Sequence, residues 1–135
     1  MGRRIYWIEN SCGFLYNKWD HKEQEELCMT KVTINPGICG LLTRVQAETD
    51  EECEEVTVKI SSACEAVQKM YKELGSEYDA YEVCLVKPGA NAFYEYASKN
   101  FPVHASCPVI AGIVKCIEVE CKLALPRDAQ ITFEK

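Results

Sequence analysis

No apolar run in this chain approaches the roughly 18–20 residues that a membrane-spanning helix needs, so no membrane partner is expected. A secretory signal is also missing. Arg3 and Arg4 are followed only by the short apolar stretch 5–8, which Glu9 ends, and Tyr6 stands where a myristoylation signal wants Ser or Thr. No basic cluster exists, and 15 Lys and Arg against 21 Asp and Glu leave a net charge of −6. A phosphate backbone is therefore not expected as a partner. The signatures Gly-x-Ser-x-Gly and His-Glu-x-x-His are absent, as is a phosphate-binding Gly loop, so the common hydrolase and nucleotide chemistries have no carrier here. No Cys-x-x-Cys pair, internal repeat or low-complexity tract occurs.

What is abundant is cysteine: nine in 135 residues. The length allows one domain at most. Without a signal the expected location is cytoplasmic, where disulfides are rare. An odd number of thiols also fits poorly with full pairing. Metal ligands, redox groups or small core residues are the remaining uses.

Residues 1–28 contain both tryptophans, show no sustained strand or helix period and end in the charged run 21–26. Met29 then opens MTKVTINPGICG, which reads as a protein start. Glu25-Glu26 can be encoded as the purine-rich GAGGAG, two codons upstream. Residues 1–28 are read as a translated leader or a poorly ordered arm, and residues 29–135 as one domain.

Within that domain residues 32–34 are β-branched and suit a first strand, followed by the turn Asn35-Pro36-Gly37. Leu41, Thr43, Val45 and Ala47 alternate with polar neighbours. So do Val56, Val58 and Ile60, across an acidic turn at 49–55. This pattern predicts an antiparallel hairpin. Ala63, Ala66, Val67, Met70, Tyr71 and Leu74 switch to helical spacing, with Ser61 or Ser62 as N-cap and Gly75 as stop. Residues 78–86 are ambiguous between strand and helix. Residues 91–99 read as a short helix with Phe93, Tyr96 and Ala97 inward. Ile110, Ile113, Ile117, Cys121 and Ala124 mark a last helix, with Pro108 at its first position and Leu125-Pro126 ending it. Residues 130–133 suit an edge strand or a tail. Strands followed by helices predict an α+β domain: a small antiparallel sheet of about three strands packed against helices.

Three cysteines sit where the backbone changes type. Cys39 lies in a Gly-flanked turn, and Cys64 and Cys107 lie at helix starts. Free N–H groups and the positive helix end favour thiolate there. With His104 three residues before Cys107, they make a soft donor set for Zn²⁺ or an iron–sulfur cluster. The cysteines are 25 and 43 residues apart, in the settings Cys39-Gly40, Lys59-Ile60-Ser61-Ser62-Ala63-Cys64 and Pro102-Val103-His104-Ala105-Ser106-Cys107.

This arrangement resembles the IscU/NifU-type iron–sulfur cluster assembly scaffolds over residues 32–125. The resemblance implies an IscU/NifU-like fold and a cluster, or Zn²⁺ in its place, held by Cys39, Cys64 and Cys107, with His104 or an external group as fourth ligand. It also implies a cysteine desulfurase as sulfur donor and apoproteins as acceptors, and a carrier role rather than an enzyme, with no catalytic residue. The chain departs from the family where an aspartate linked to cluster release is Leu41. The family's histidine before the third cysteine is Ser106, and the first Pro and the Lys of its chaperone-recognition stretch are Phe101 and His104. A divergent member is therefore expected.

Other readings stay open. Cys107 can serve as a sulfur acceptor forming a persulfide, or with His104 as a nucleophile–base pair. All three cysteines can also be core residues of a structural or interaction domain. Cys84, Cys116 and Cys121 are read as core, Cys53 between Glu52 and Glu54 as exposed, and the 51–55 carboxylates as a solvated turn. His21 has no evident partner.

Overall fold

Alternation builds the sheet. Thr43, Val45 and Ala47 are buried while Arg44 and Glu48 face solvent, and Val56, Val58 and Ile60 are buried between exposed Glu55, Thr57, Lys59 and Ser61. Side chains two residues apart share a face, so each strand has one apolar side to cover. The computed structural model describes residues 7–9, 15–17 and 29–135. Cys12, Trp19, His21 and Cys28 fall outside the described residues, as does most of the stretch read as a leader.

The element order is β1 (Trp7–Glu9), β2 (Leu15–Asn17), β3 (Met29–Ile34), β4 (Thr43–Thr49), β5 (Glu55–Ser62), α1 (Glu65–Leu74), β6 (Glu77–Asp79), α2 (Ala80–Cys84), α3 (Ala92–Asn100) and α4 (Val109–Glu120). The first two strands pair with each other, which the sequence pattern did not predict. The others form a four-stranded antiparallel sheet in the order β3-β4-β5-β6. The fold is α+β.

Several boundaries correct the expectations. The sheet gains a fourth short strand, because residues 77–79 pair with the start of β5. Asp79 then ends the strand and caps α2, accepting from the N–H groups of Tyr81 and Glu82. Ser61 and Ser62 belong to β5, opposite Arg44 and Thr43, so α1 starts at Glu65 with Cys64 as N-cap. Gly75 stops α1 as expected, at φ 87°. The last helix ends at Glu120, short of Leu125. Lys122 takes φ 61°, its N–H bonds the Val119 carbonyl at 3.1 Å, and the Leu123 N–H bonds that of Glu118 at 2.8 Å. That pattern closes a helix, with lysine where glycine is usual. Ala124 is exposed as a result, and residues 130–133 form no strand.

The helices pack on one face of the sheet. Ile110, Ile113, Cys116, Ile117 and Cys121 of α4 and its end join Val45, Ala47, Val58, Val67, Met70 and Phe93 in one core. Ile113 and Ile117 are completely buried, each contributing roughly 1.5–3 kcal/mol of burial free energy. Gly112 lets α4 come close to the sheet, since a Cβ built there would lie 2.4 Å from Ile34 Cγ1 and Cδ1. At its other end α4 presents Glu120 to Thr30 and Thr49. The helix therefore runs antiparallel to β3, with its N-terminus beside Ile34.

Candidate functional site

That orientation places the three singled-out cysteines at one end of the sheet. Ile34, the last residue of β3, pairs with Thr43, the first of β4, and Thr43 pairs with Ser62, the last of β5. The loop joining β3 to β4 carries Cys39. Cys64 lies two residues beyond Ser62, and the Ala63 N–H bonds the Leu42 carbonyl of the Cys39 loop at 3.1 Å. Cys107 lies just ahead of α4, whose Gly112 abuts Ile34.

Each side chain is held differently. Cys39 is exposed, in a loop closed by Asn35 Oδ1 accepting from the Gly37 N–H at 3.1 Å and by the Gly40 N–H bonding the Gly37 carbonyl at 3.0 Å. Gly37 and Gly40 sit at φ 96° and 67°, where side-chain-bearing residues are strained. Cys64 is half-buried at the N-cap of α1, its own N–H bonded to Ser62 Oγ, and its thiol makes no capping bond. Cys107 is half-buried and stands one residue further out than expected, because Pro108 is the N-cap of α4. Its N–H turns back to the His104 carbonyl at 3.1 Å. His104 is exposed in the same loop.

Neither α1 nor α4 has a side chain capping its first turn, and α4 has no acidic residue there. Two helix N-termini thus open toward the end that carries the thiols, a setting that favours negative charge. Among the described residues no three of His, Cys, Asp and Glu are gathered into a metal-holding group.

One family model matches residues 30–133, most of the chain. The chain belongs to that family, DUF6951, described as a family of unknown function. No curated protein and no solved structure matches it.

Three other cysteines of the DUF6951 domain have thiols pushed up by burial. Burial, then the Glu120 carboxylate, pushes the Cys116 thiol up to about 12. Burial, then Glu118 and Cys121, does the same for Cys84, and Cys121 rises to about 11 through burial and then Cys53. These groups stay protonated and unreactive at neutral pH. Cys116 and Cys121 are buried, as expected; Cys84 is half-buried. Cys53 is half-buried against the core rather than exposed, at φ 58° in the turn between β4 and β5. The carboxylates around it are exposed.

Glu120 went unnoticed in the sequence. It is 3% exposed, and its carboxylate accepts from the Thr30 N–H at 2.9 Å, the Thr30 hydroxyl at 2.6 Å and the Thr49 N–H at 3.3 Å. The available signal was its place three residues after Ile117, on the face of Ile113 and Cys116. A surface cavity of about 470 Å³ lies elsewhere, lined by Tyr78, Val83, Val86 and the carboxyl-bearing Glu77, Asp79, Glu82 and Glu95. None of Cys39, Cys64 and Cys107 lines it. No described helix is long and apolar enough to cross a membrane.

Proposed function

We propose that this protein is a carrier that holds an iron–sulfur cluster, or Zn²⁺ in its place, as cargo on Cys39, Cys64 and Cys107, with His104 or an external group as fourth ligand. The observation that carries the reading is the convergence of the three cysteine-bearing segments on one sheet end. They come from three separate parts of the chain. Cys39 is exposed at that end, and Cys64 and Cys107 are half-buried at the margin of the core.

The donor chemistry fits the cargo, since soft thiolates suit zinc and iron–sulfur clusters. The N-terminus of α4, with no capping side chain and no acidic residue in its first turn, opens toward this end and suits an anionic cargo. The Cys39 loop, with two glycines at positive φ, supplies the adjustable side. Closing it over Cys64 and Cys107 brings the donors together on loading, in the way metal binding commonly couples to local folding. A donor set of three with an open position favours transfer over permanent storage. Leu41, in place of a polar neighbour, keeps the loaded site drier.

The IscU/NifU resemblance extends the reading to a cysteine desulfurase as sulfur donor and apoproteins as acceptors. Ile38, Leu41, Leu42 and Val103 flank the cysteines and are exposed, Ile38 and Val103 almost entirely. Exposed apolar groups around a transfer site suit protein docking.

Purification without oxygen tests the proposal. Iron and inorganic sulfide near stoichiometry with protein, with the matching visible absorption, are the expected result. Zinc in stoichiometric amount supports the thiolate site with a different cargo. Protein without metal, which also fails to take up Zn²⁺ or a reconstituted cluster, contradicts the reading and shifts the weight to persulfide chemistry on Cys107.

A further inference from the structure

Beyond Lys122 the chain forms no helix or strand, and every residue from 122 to 135 is exposed. Yet this stretch carries Leu125, Ile131 and Phe133, which are 82%, 85% and 93% exposed. Such side chains gain nothing from the hydrophobic effect while they stay in water. Ile131 and Phe133 are two residues apart, on one face of an extended chain, and Ile131-Thr132-Phe133 are strong strand formers. The family match runs through Phe133, so this stretch belongs to the shared domain.

Among the described residues the same domain leaves one edge of a strand without a partner. β3 is an edge of the four-stranded sheet among the described residues. The Val58 N–H bonds the Ser76 carbonyl, away from β4. Val58 and Ala47 are therefore a non-hydrogen-bonded pair, and the Ala47 backbone faces β3. Its partner Thr30, and with it Val32 and Ile34, faces β4. The backbone groups of Lys31 and Thr33 are left pointing off the open edge. Val32 beside them is only half-buried.

From these two unpaired halves we infer that residues 129–133 add as a strand to the β3 edge of a second copy of this chain. The segment leaves α4 beside Thr30, at the start of its own β3, it stays exposed, and no described strand pairs with the outer edge of β3. A two-fold exchange satisfies both halves at once, since each copy offers one tail and one edge. Backbone pairing to Lys31 and Thr33 supplies the strand bonds, and Ile131 and Phe133 cover the side of the sheet on which Val32 lies. The edge strand is thereby protected from open-ended association.

The test is the mass of the full chain in solution, by light scattering and sedimentation, from low micromolar to near-millimolar concentration. A reversible dimer is expected. Ile131→Asp with Phe133→Asp should raise its dissociation constant about a hundredfold. Thr33→Pro should do the same, because it removes only an outward N–H, which an edge strand tolerates. Circular dichroism of both variants should stay that of the folded monomer. Mixing the tail variant with the edge variant should restore a weaker heterodimer, since one intact tail then meets one intact edge. A wild-type chain that stays monomeric throughout overturns the inference. So does a dimer that both variants leave intact.

Discussion

Replacing Glu120 by alanine is expected to cost about 3 kcal/mol of stability at neutral pH, a large share of the total for a domain of this size. The carboxylate is the acceptor for the Thr30 N–H, the Thr30 hydroxyl and the Thr49 N–H. Truncation leaves these part-buried donors without their acceptor and removes a buried side-chain stem from α4. Glu120→Gln keeps one acceptor oxygen and should cost less.

The same residue sets a pH dependence. Burial, outweighing the hydrogen bonds from Thr30 and Thr49, raises the Glu120 carboxyl above its ordinary value, and Glu48 from β4 adds to the rise. The folded state therefore holds this proton more tightly than the unfolded chain does. The resulting stabilisation is full below the ordinary carboxyl range, and it is lost as pH rises through the raised value. Wild type minus Glu120→Gln stability, from urea unfolding at several pH values, should fall as pH increases from acidic to neutral. A difference that stays flat or rises would show that Glu120 is not a desolvated acid.

The second large effect is expected at Gly112. Valine there should destabilise the fold by about 2–3 kcal/mol, through overpacking against the strand. Its Cβ alone would lie 2.4 Å from two carbons of Ile34, a residue 8% exposed at the end of β3. Ile34→Ala opens the space, so in that background the cost should drop below about 1 kcal/mol. The two substitutions should thus couple by about 2 kcal/mol in a double-mutant cycle. Additive costs would show that the close approach of α4 to β3 is not what the glycine serves. The pair also fixes where α4 begins, and hence where Cys107 stands relative to the Cys39 loop.

The hairpin of β4 and β5 was legible because its faces differ so cleanly: Val45 and Ala47 against Arg44 and Glu48, Val58 and Ile60 against Thr57 and Lys59. The start of α1 was not, because a serine suits an N-cap and a strand hydroxyl alike. Ser62 does the second, with its hydroxyl 2.7 Å from that of Thr43 across the strand pair, and it also accepts from the Cys64 N–H. The end of α4 escaped notice because lysine, not glycine, takes the left-handed position. Residues 78–86 were ambiguous because strand and helix meet inside them, at the Asp79 cap.

The site was legible as three local settings, a glycine-flanked turn and two helix starts. The placement of the three segments at one end of the sheet was not. It depends on the register that sets Ile34, Thr43 and Ser62 side by side and on the direction of α4 across the sheet. Glu120 was hidden by its type, since a carboxylate on an apolar helix face reads as solvent-facing until Thr30 and Thr49 are seen beside it. Cys53 was hidden by its charged neighbours, which say nothing of a backbone turned to φ 58°.

Cys39, Cys64 and Cys107, proposed to act together on one cargo, can be followed by alkylation of each thiol, mapped by mass spectrometry, as reduced protein is titrated with Zn²⁺. Protection of the three is expected to rise in step and to saturate at one metal per site, and alanine at any one of them should release the other two. Protection of Cys107 alone, of other cysteines instead, or of none at saturating metal would contradict the proposal.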